Sequence, residues 1–397
     1  MSPQKTESPA LMVHFSTLVD PRVERTKRHS MTDILVISIC GFICGIDNWV
    51  ELEEFGEIRE DWFRTFLELP NGIPSHDTFG RVFAAMDPEE FSRCFTRWVK
   101  SIAEKTEGEV VPIDGKTLRR SFDRASSKAA IHMVSAWAAS NGLVLGQVKT
   151  DEKSNEITAI PKLLEILHLQ GCIVTIDAMG CQKTIVKDIV DKGADYVISL
   201  KGNQETVHEK TADFFTQARE ERFETVPHVY TETLEKEHGR LERRRYWLTG
   251  RLDWLREKDD WHGLTSVGMV ESTRTLNGVT SNEVRYFISS LDGTDAEKFA
   301  RAVRTHWAVE NNLHWVLDVA FDEDHSRVRK DNAPENMAML RHIALNLLKA
   351  DTTTRAGIKT RRKKAGWSPD YLCHLLGVPN AYKPRLPKKG PRAAPKS

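Results

Sequence analysis

The longest apolar run, ILVISICGFICGI over Ile34–Ile46, is about 13 residues, short of the roughly 20 that span a bilayer. Ser30 and Asp33 before it read as a helix start, and Asp47 and Asn48 as its end, so the pattern predicts a buried helix. WVELEEFGEIREDWFRTFLEL continues with apolar positions at helical spacing. MDPEEF then sets Asp87 as N-cap, Pro88 at the first helical position and Glu90 two further on, a clear helix entry. Between them, LPNGIPSHDTFGRVFAAM places a Pro-Gly turn before Ser75 and a short helix carrying His76, Asp77, Thr78 and Arg81. That layout suits a helix-turn-helix whose second helix reads DNA, and equally an ordinary helical hairpin. Residues 1–105 are therefore expected to form an all-α N-terminal domain, with DNA-end binding as its candidate role.

Near Val110 the period changes. VVPIDGKTLRRS reads as a buried strand finishing at Asp114, and IHMVSAWAAS and LVLGQVKT flank an Asn141-Gly142 hairpin signal. EITAIPKLLEILHL is an amphipathic helix, GCIVTIDAMG a buried strand finishing at Asp177, CQKTIVKDIVDKG a helix and ADYVISLKGNQ a strand. The order β, β, β, α, β, α, β predicts an α/β fold, a ribonuclease H-like mixed sheet with flanking helices over residues 106–349. Neighbouring parallel strands present their ends on one edge, so Asp114 and Asp177 are expected to meet. Either aspartate alone also suits a turn or helix cap.

From about 205 to 295 the pattern is β-rich again, with Asn277-Gly278 as another hairpin turn, and reads as an insertion. Within it His238, Arg240, Arg243, Arg244 and Arg245, beside Tyr246 and Trp247, are candidates to hold phosphates and stack on unpaired bases, or a solvated charged strand.

Charge sharpens the picture. The 397 residues carry 57 basic and 57 acidic side chains, yet residues 350–397 hold 12 Lys and Arg against two acids, Asp351 and Asp370. This predicts a basic C-terminal tail suited to a polyanion, or a merely solvated one. Six cysteines show no CxxC pair, which fits free thiols in a reducing, cytoplasmic setting. The polar, proline-bearing start lacks the look of a signal peptide, and no membrane partner is expected.

HWAVENNLHWVLDVAFDED, His306–Asp324, reads as one long helix. At helical spacing Val309, Leu313, Val316 and Ala320 form an apolar stripe, with His306, Glu310 and His314 aligned beside it. A carboxylate at that border needs a partner or a metal. Asp318, Asp322, Glu323 and Asp324 are further acids nearby, the last three suiting a turn or salt bridges. The His-Glu-His row lacks HExxH spacing and leaves both strand-end aspartates unexplained, which weighs against a zinc site.

IDGKTLRRS, TIDAMGCQ, SLKGNQ, EHGRLERR, YFISSL and RTHWAVENNLHWVLDVAFDEDHSR, in that order, resemble the successive blocks of the H-repeat-associated insertion-sequence transposases of the Asp-Asp-Glu superfamily. The similarity spans roughly Phe15 to Lys349. It implies that Asp114, Asp177 and Glu310 are the catalytic triad and hold two Mg²⁺ ions, with Mn²⁺ as substitute. It implies double-stranded DNA as partner, at the terminal repeats and the target, and a homodimeric synapse. Lys116, Arg119, Arg120, Lys201, Asn203, Gln204, Arg240 and Arg243 become candidate DNA contacts. Where many relatives in the superfamily carry Tyr, Arg and a base around the glutamate, this chain has Val303, His306 and Leu317, which makes His306, assisted by His314, the candidate phosphate contact. A domesticated element that binds DNA without cutting it is the alternative.

Overall fold

The computed structural model describes residues 10–103, 107–122, 129–151, 155–237 and 239–380. Before the first strand the chain forms α1 (Met31–Cys44), α2 (Trp49–Ile58), α3 (Glu60–Phe63), α4 (His76–Ala85) and α5 (Pro88–Ile102). Their starts are set by side-chain caps: Ser30, Asn48, Ser75 and Asp87 each accept a backbone N–H from the first turn, satisfying donors that have no partner inside the helix. α1 stops at Gly45, whose φ of 103° is open to glycine.

The sheet comprises β1 (Val110–Thr117), β2 (His132–Ala138), β3 (Leu143–Lys149), β4 (Ile173–Ile176), β5 (Asp195–Leu200), β6 (Val229–Glu237), β7 (Arg240–Thr249), β8 (Ser266–Leu276) and β9 (Val279–Ser289). The later helices are α6 (Glu156–Ile166), α7 (Lys183–Asp191), α8 (Glu205–Glu220), α9 (Ala296–His306), α10 (Trp315–Phe321), α11 (Ala333–Ala350), α12 (Ile358–Trp367) and α13 (Pro369–Leu376). The molecule is thus α/β, built on one mixed sheet in the order β3-β2-β1-β4-β5-β9-β8-β7-β6. β1 pairs antiparallel with β2 and parallel with β4, and β4 parallel with β5.

Four features depart from the sequence reading. The block from 205 to 295 opens with a helix, α8, and its strands extend the main sheet because β9 pairs antiparallel with β5. The inner ends of β7, β8 and β9 are the buried part, with Phe287 and Ile288 buried where β9 meets β5 and the outer half of β9 exposed. The Asn277-Gly278 turn forms as expected, both residues at positive φ, and so does the hairpin around Asn141 and Gly142, where β2 and β3 pair antiparallel across the link 139–142.

The helices α1–α5 do not own a separate core. Leu35, Phe83 and Phe95 share one hydrophobic cluster with Leu317, Leu340, Leu345 and Leu372, so helices from both ends of the chain pack together. The basic C-terminal segment is a correction of the same kind, since α12 and α13 are folded and packed rather than a tail. Arg362 is buried and donates to the carbonyls of Phe42 and Ala320, and Arg361 donates to those of Leu348 and Asp351. These cations complete carbonyls at or near the ends of α1, α10 and α11, a favoured place for positive charge. The run from Lys383 lies outside the described residues. Among the described residues no single helix is long and apolar enough to cross a membrane.

Finally, the helix over His306–Asp324 starts earlier, at Ala296, and is interrupted. A π-turn spans Glu310–His314 between α9 and α10. Its extra residue rotates everything downstream by one position. The buried stripe is consequently Val309, Leu313, Leu317 and Phe321, while Val316 and Ala320 are only half-buried.

Candidate active site

The strand register brings the two aspartates together. β1 and β4 run parallel with Ile113 opposite Ile176, so the next residues, Asp114 and Asp177, are neighbours across the strands. β1 does not finish at Asp114; it continues to Thr117 against β2. Only β4 stops there, and Asp177 turns to cap the short helix that follows, its Oδ1 accepting from Met179 N at 2.9 Å and Gly180 N at 3.4 Å. Glu310 reaches the same place from the π-turn. All three carboxylates line one cavity of about 280 Å³.

Glu310 is 68 % exposed, so the carboxylate opens to solvent instead of sitting in an apolar layer. The buried polar group of this helix is His314. Its Nδ1 lies 3.1 Å from Glu310 Oε2 and 3.6 Å from Asp114 Oδ2. One potential ligand atom from each of Asp114, Glu310 and His314 lies within 4.8 Å of the other two. Burial, then the nearby Glu156 and Asp177 carboxylates, push the Asp114 carboxyl up to about 6, against the opposing His314 ring and the Gly115 N–H. Three carboxylates around a shared cavity, one of them disfavoured as an anion chiefly by burial, match the hard-oxygen donor set of a divalent cation.

The structure sorts the cationic candidates. Lys201 lines the cavity and is exposed, with no ion pair among the described residues. Arg119 is 78 % exposed beside Asp324, and Arg120 is exposed. Lys116 turns inward, only 13 % exposed, where it pairs with Asp318 and Glu323. Asn203 and Gln204 donate their amides to the carbonyls of Ala178 and Cys181 at 2.7 and 2.8 Å, clamping the loop that follows Asp177. His306 also lines the cavity, with Nδ1 3.1 Å from Thr175 Oγ1. Burial pushes its ring down to about 4, so the imidazole is neutral at pH 7.

Strand alternation splits the arginines of β7. Arg240 lines a second cavity, of about 300 Å³, that also touches Glu310, whereas Arg243 points to the opposite face and pairs with Glu232 at 2.6 Å. Tyr246 and Trp247 are buried, at 0 % and 8 % exposure, which removes them as platforms for bases. His238 lies outside the described residues. The second cavity adds Arg274, Arg285, Arg304 and the half-exposed Trp307, which periodicity did not single out. Arg274 and Arg285 come from β8 and β9, Arg304 and Trp307 from the end of α9, and they meet only where that helix packs against the paired strands. Arg285 lies over the Trp307 ring at 4.4 Å, so this wall of the site combines a cation with an aromatic face.

The family model described as "Transposase DDE domain" matches residues 105–347, and "DDE_Tnp_1-associated" matches residues 12–99. "H repeat-associated putative transposase YhhI" of Escherichia coli K12 is 40 % identical over 371 residues, covering 92 % of this chain and 97 % of its own. "Putative transposase YncI" of E. coli O157:H7 is 41 % identical, covering 92 % and 94 %. A solved piggyBac transposase synaptic complex with hairpin DNA aligns over 90 % of this chain and 75 % of its own at 12 % identity and a TM-score of 0.39, too remote to inform fold or site. With both family models matched in sequence and relatives covered almost end to end, the chain belongs to the H-repeat-associated transposases of the Asp-Asp-Glu superfamily.

Proposed function

We propose that this chain is an active insertion-sequence transposase that cuts DNA at its element's ends and transfers the freed 3′-hydroxyl to target DNA. Asp114, Asp177 and Glu310 are its catalytic carboxylates. The observation that carries this reading is the β1–β4 register, which sets Asp114 beside Asp177 at a cavity that Glu310 also lines. The strand order β3-β2-β1-β4-β5, antiparallel then parallel, supports a ribonuclease H-like core. Helices α1–α5 support an N-terminal all-α unit, for which DNA-end binding is the role we infer.

The three carboxylates would hold two divalent ions, Mg²⁺ with Mn²⁺ as substitute, which supply activation of the attacking oxygen and stabilisation of the leaving one. The chain's own residues do the positioning. Lys201, with Arg119, Arg120 and Arg240, offers exposed or partly exposed charge to phosphates, which makes binding strongly salt-dependent. Asn203 and Gln204 act through the Asp177 loop by fixing its carbonyls. His306 contributes a neutral hydrogen-bonding ring. Arg243 and Lys116, tied up in ion pairs, support neighbouring elements. Joining two element ends calls for a homodimeric synapse on DNA in the bacterial cytoplasm.

The test is cleavage of a DNA fragment carrying the element's terminal repeat, with Mg²⁺ or Mn²⁺. The native protein should cut at the repeat boundary, and Asp177→Ala and Glu310→Gln should bind the fragment without cutting it. Binding by the native protein with no cleavage in either metal would sink the reading in favour of a DNA-binding remnant.

A further inference from the structure

The strongest unassigned feature lies at the π-turn. Glu310 and His314 are its first and last residues, and the amide of Trp315 donates to the Glu310 carbonyl. Insertions of this kind are rare and cluster at functional sites. Here the turn holds a buried imidazole beneath two carboxylates. His314 is 5 % exposed, its Nδ1 faces Glu310 and Asp114, and Asp177 is outside this close trio.

The other side of the ring supplies an independent observation. His314 Nε2 is buried with no hydrogen-bond partner among the described residues, and so is Nδ1 of His342. When His314 carries its proton on Nδ1, it donates to Glu310 and leaves Nε2 a buried acceptor without a partner. When a cation takes the Nδ1 lone pair, the proton sits on Nε2, the nitrogen through which a ligating histidine ordinarily donates.

We propose that His314 is a metal ligand, supplying Nδ1 to the ion held by Asp114 and Glu310. The inference rests on the reading of those two carboxylates as metal-binding. It makes the two ion positions chemically unlike: one bounded by Asp114 and Asp177 with oxygen donors, the other carrying a nitrogen. Oxygen donors suit Mg²⁺, while imidazole shifts preference toward ions later in the first transition row. The Glu310 position is therefore the one that discriminates Mn²⁺ from Mg²⁺.

The experiment is Mn²⁺ binding to the full-length protein without DNA, followed by continuous-wave and pulsed electron paramagnetic resonance. The native protein should show the ¹⁴N coupling of a directly bound imidazole, kept in His306→Gln, whose ring lines the same cavity, and lost in His314→Gln. Mn²⁺ affinity should fall at least about tenfold in His314→Gln, the lower end for losing a group around a bound metal, with Mg²⁺ competition less affected. A melting curve accompanies each variant; if glutamine unfolds the protein, His314→Asn serves in its place. Should neither fold, ¹⁵N-histidine labelling of the native protein and of His306→Gln reads the coupling directly, and its presence in both upholds the proposal. Mn²⁺ bound without ¹⁴N coupling overturns the assignment of His314 while leaving the carboxylate site intact. No bound Mn²⁺ at millimolar concentration overturns both readings together.

Discussion

Replacing Glu323 by glutamine removes a single negative charge from a buried cluster that ties the strand of Asp114 to the helix of Glu310. Glu323 is 3 % exposed; its Oε2 accepts from Lys116 Nζ at 2.9 Å and its Oε1 from Arg341 Nη1 at 3.4 Å. Lys116 keeps Asp318 as a second partner. Arg341, 1 % exposed, has no other acid paired with it among the described residues, and its Nε and Nη2 are already unpartnered. At an effective dielectric of about 20 each contact is worth on the order of 5 kcal/mol in gross Coulomb energy. Desolvation of the buried ions offsets much of that, and breaking such a pair costs about 3–5 kcal/mol net, because the stranded cation remains. Glu323→Gln should lose that much in urea denaturation followed by tryptophan fluorescence, as a lower midpoint at unchanged slope. Glu323→Gln/Arg341→Met, which removes both charges, should regain most of it.

The pH dependence has a definite sign. Burial raises the Glu323 carboxyl, but the Lys116 and Arg341 charges outweigh it and hold the group below its ordinary value. Its contribution is therefore complete above about pH 4.3, the unfolded value, and is lost as pH falls through the lower folded one. The gap between native and Glu323→Gln should close in acid. A loss under about 1 kcal/mol at pH 7, or a double variant no better than the single one, would refute the claim that Glu323 neutralises Arg341.

Three further outcomes follow from the packing. In Gly115→Ala the new Cβ overlaps the Glu156 carboxylate and the His132 ring, so stability should fall by about 1–3 kcal/mol, and Mn²⁺ affinity should drop as Asp114 shifts; an unchanged affinity argues against that coupling. Arg362→Ala strips donors from the Phe42 and Ala320 carbonyls and leaves Asp47 unpaired, costing about 3 kcal/mol by thermal denaturation, with Arg362→Lys recovering less than half. His342, fully buried, is pushed down to about 4 by desolvation. As pH falls from about 6.5 toward 4 the unfolded chain gains a proton that the folded one refuses, so stability falls. The slope of stability against pH in that window should be smaller by up to about 1.4 kcal/mol per unit in His342→Gln, and equal slopes would show that the ring titrates freely.

The sequence by itself determined whatever depends on neighbours a few residues away. Ser30, Ser75 and Asp87 cap helices because a side-chain oxygen two or three positions before an orphan N–H satisfies it regardless of tertiary context. Asn277-Gly278 makes its hairpin because both residues tolerate positive φ. The strands holding Asp114 and Asp177, and the helix holding Glu310, were legible for the same reason, and the ordered blocks around them carried the family.

Tertiary structure decided what each side chain meets. Lys116, two residues after Asp114, reads as a DNA contact, yet its partner Glu323 is 207 residues away and turns it inward. The RRKK run reads as tail, but Arg361 and Arg362 find unpaired carbonyls on α1, α10 and α11. Arg240 and Arg243 look equivalent until strand alternation places them on opposite faces. The π-turn moves the buried stripe from Val316 and Ala320 to Leu317 and Phe321, and it brings His314, not Glu310, into the interior. Local periodicity follows from backbone geometry and is written in the chain; burial of a charge depends on which distant group arrives to neutralise it, and only the folded register supplies that.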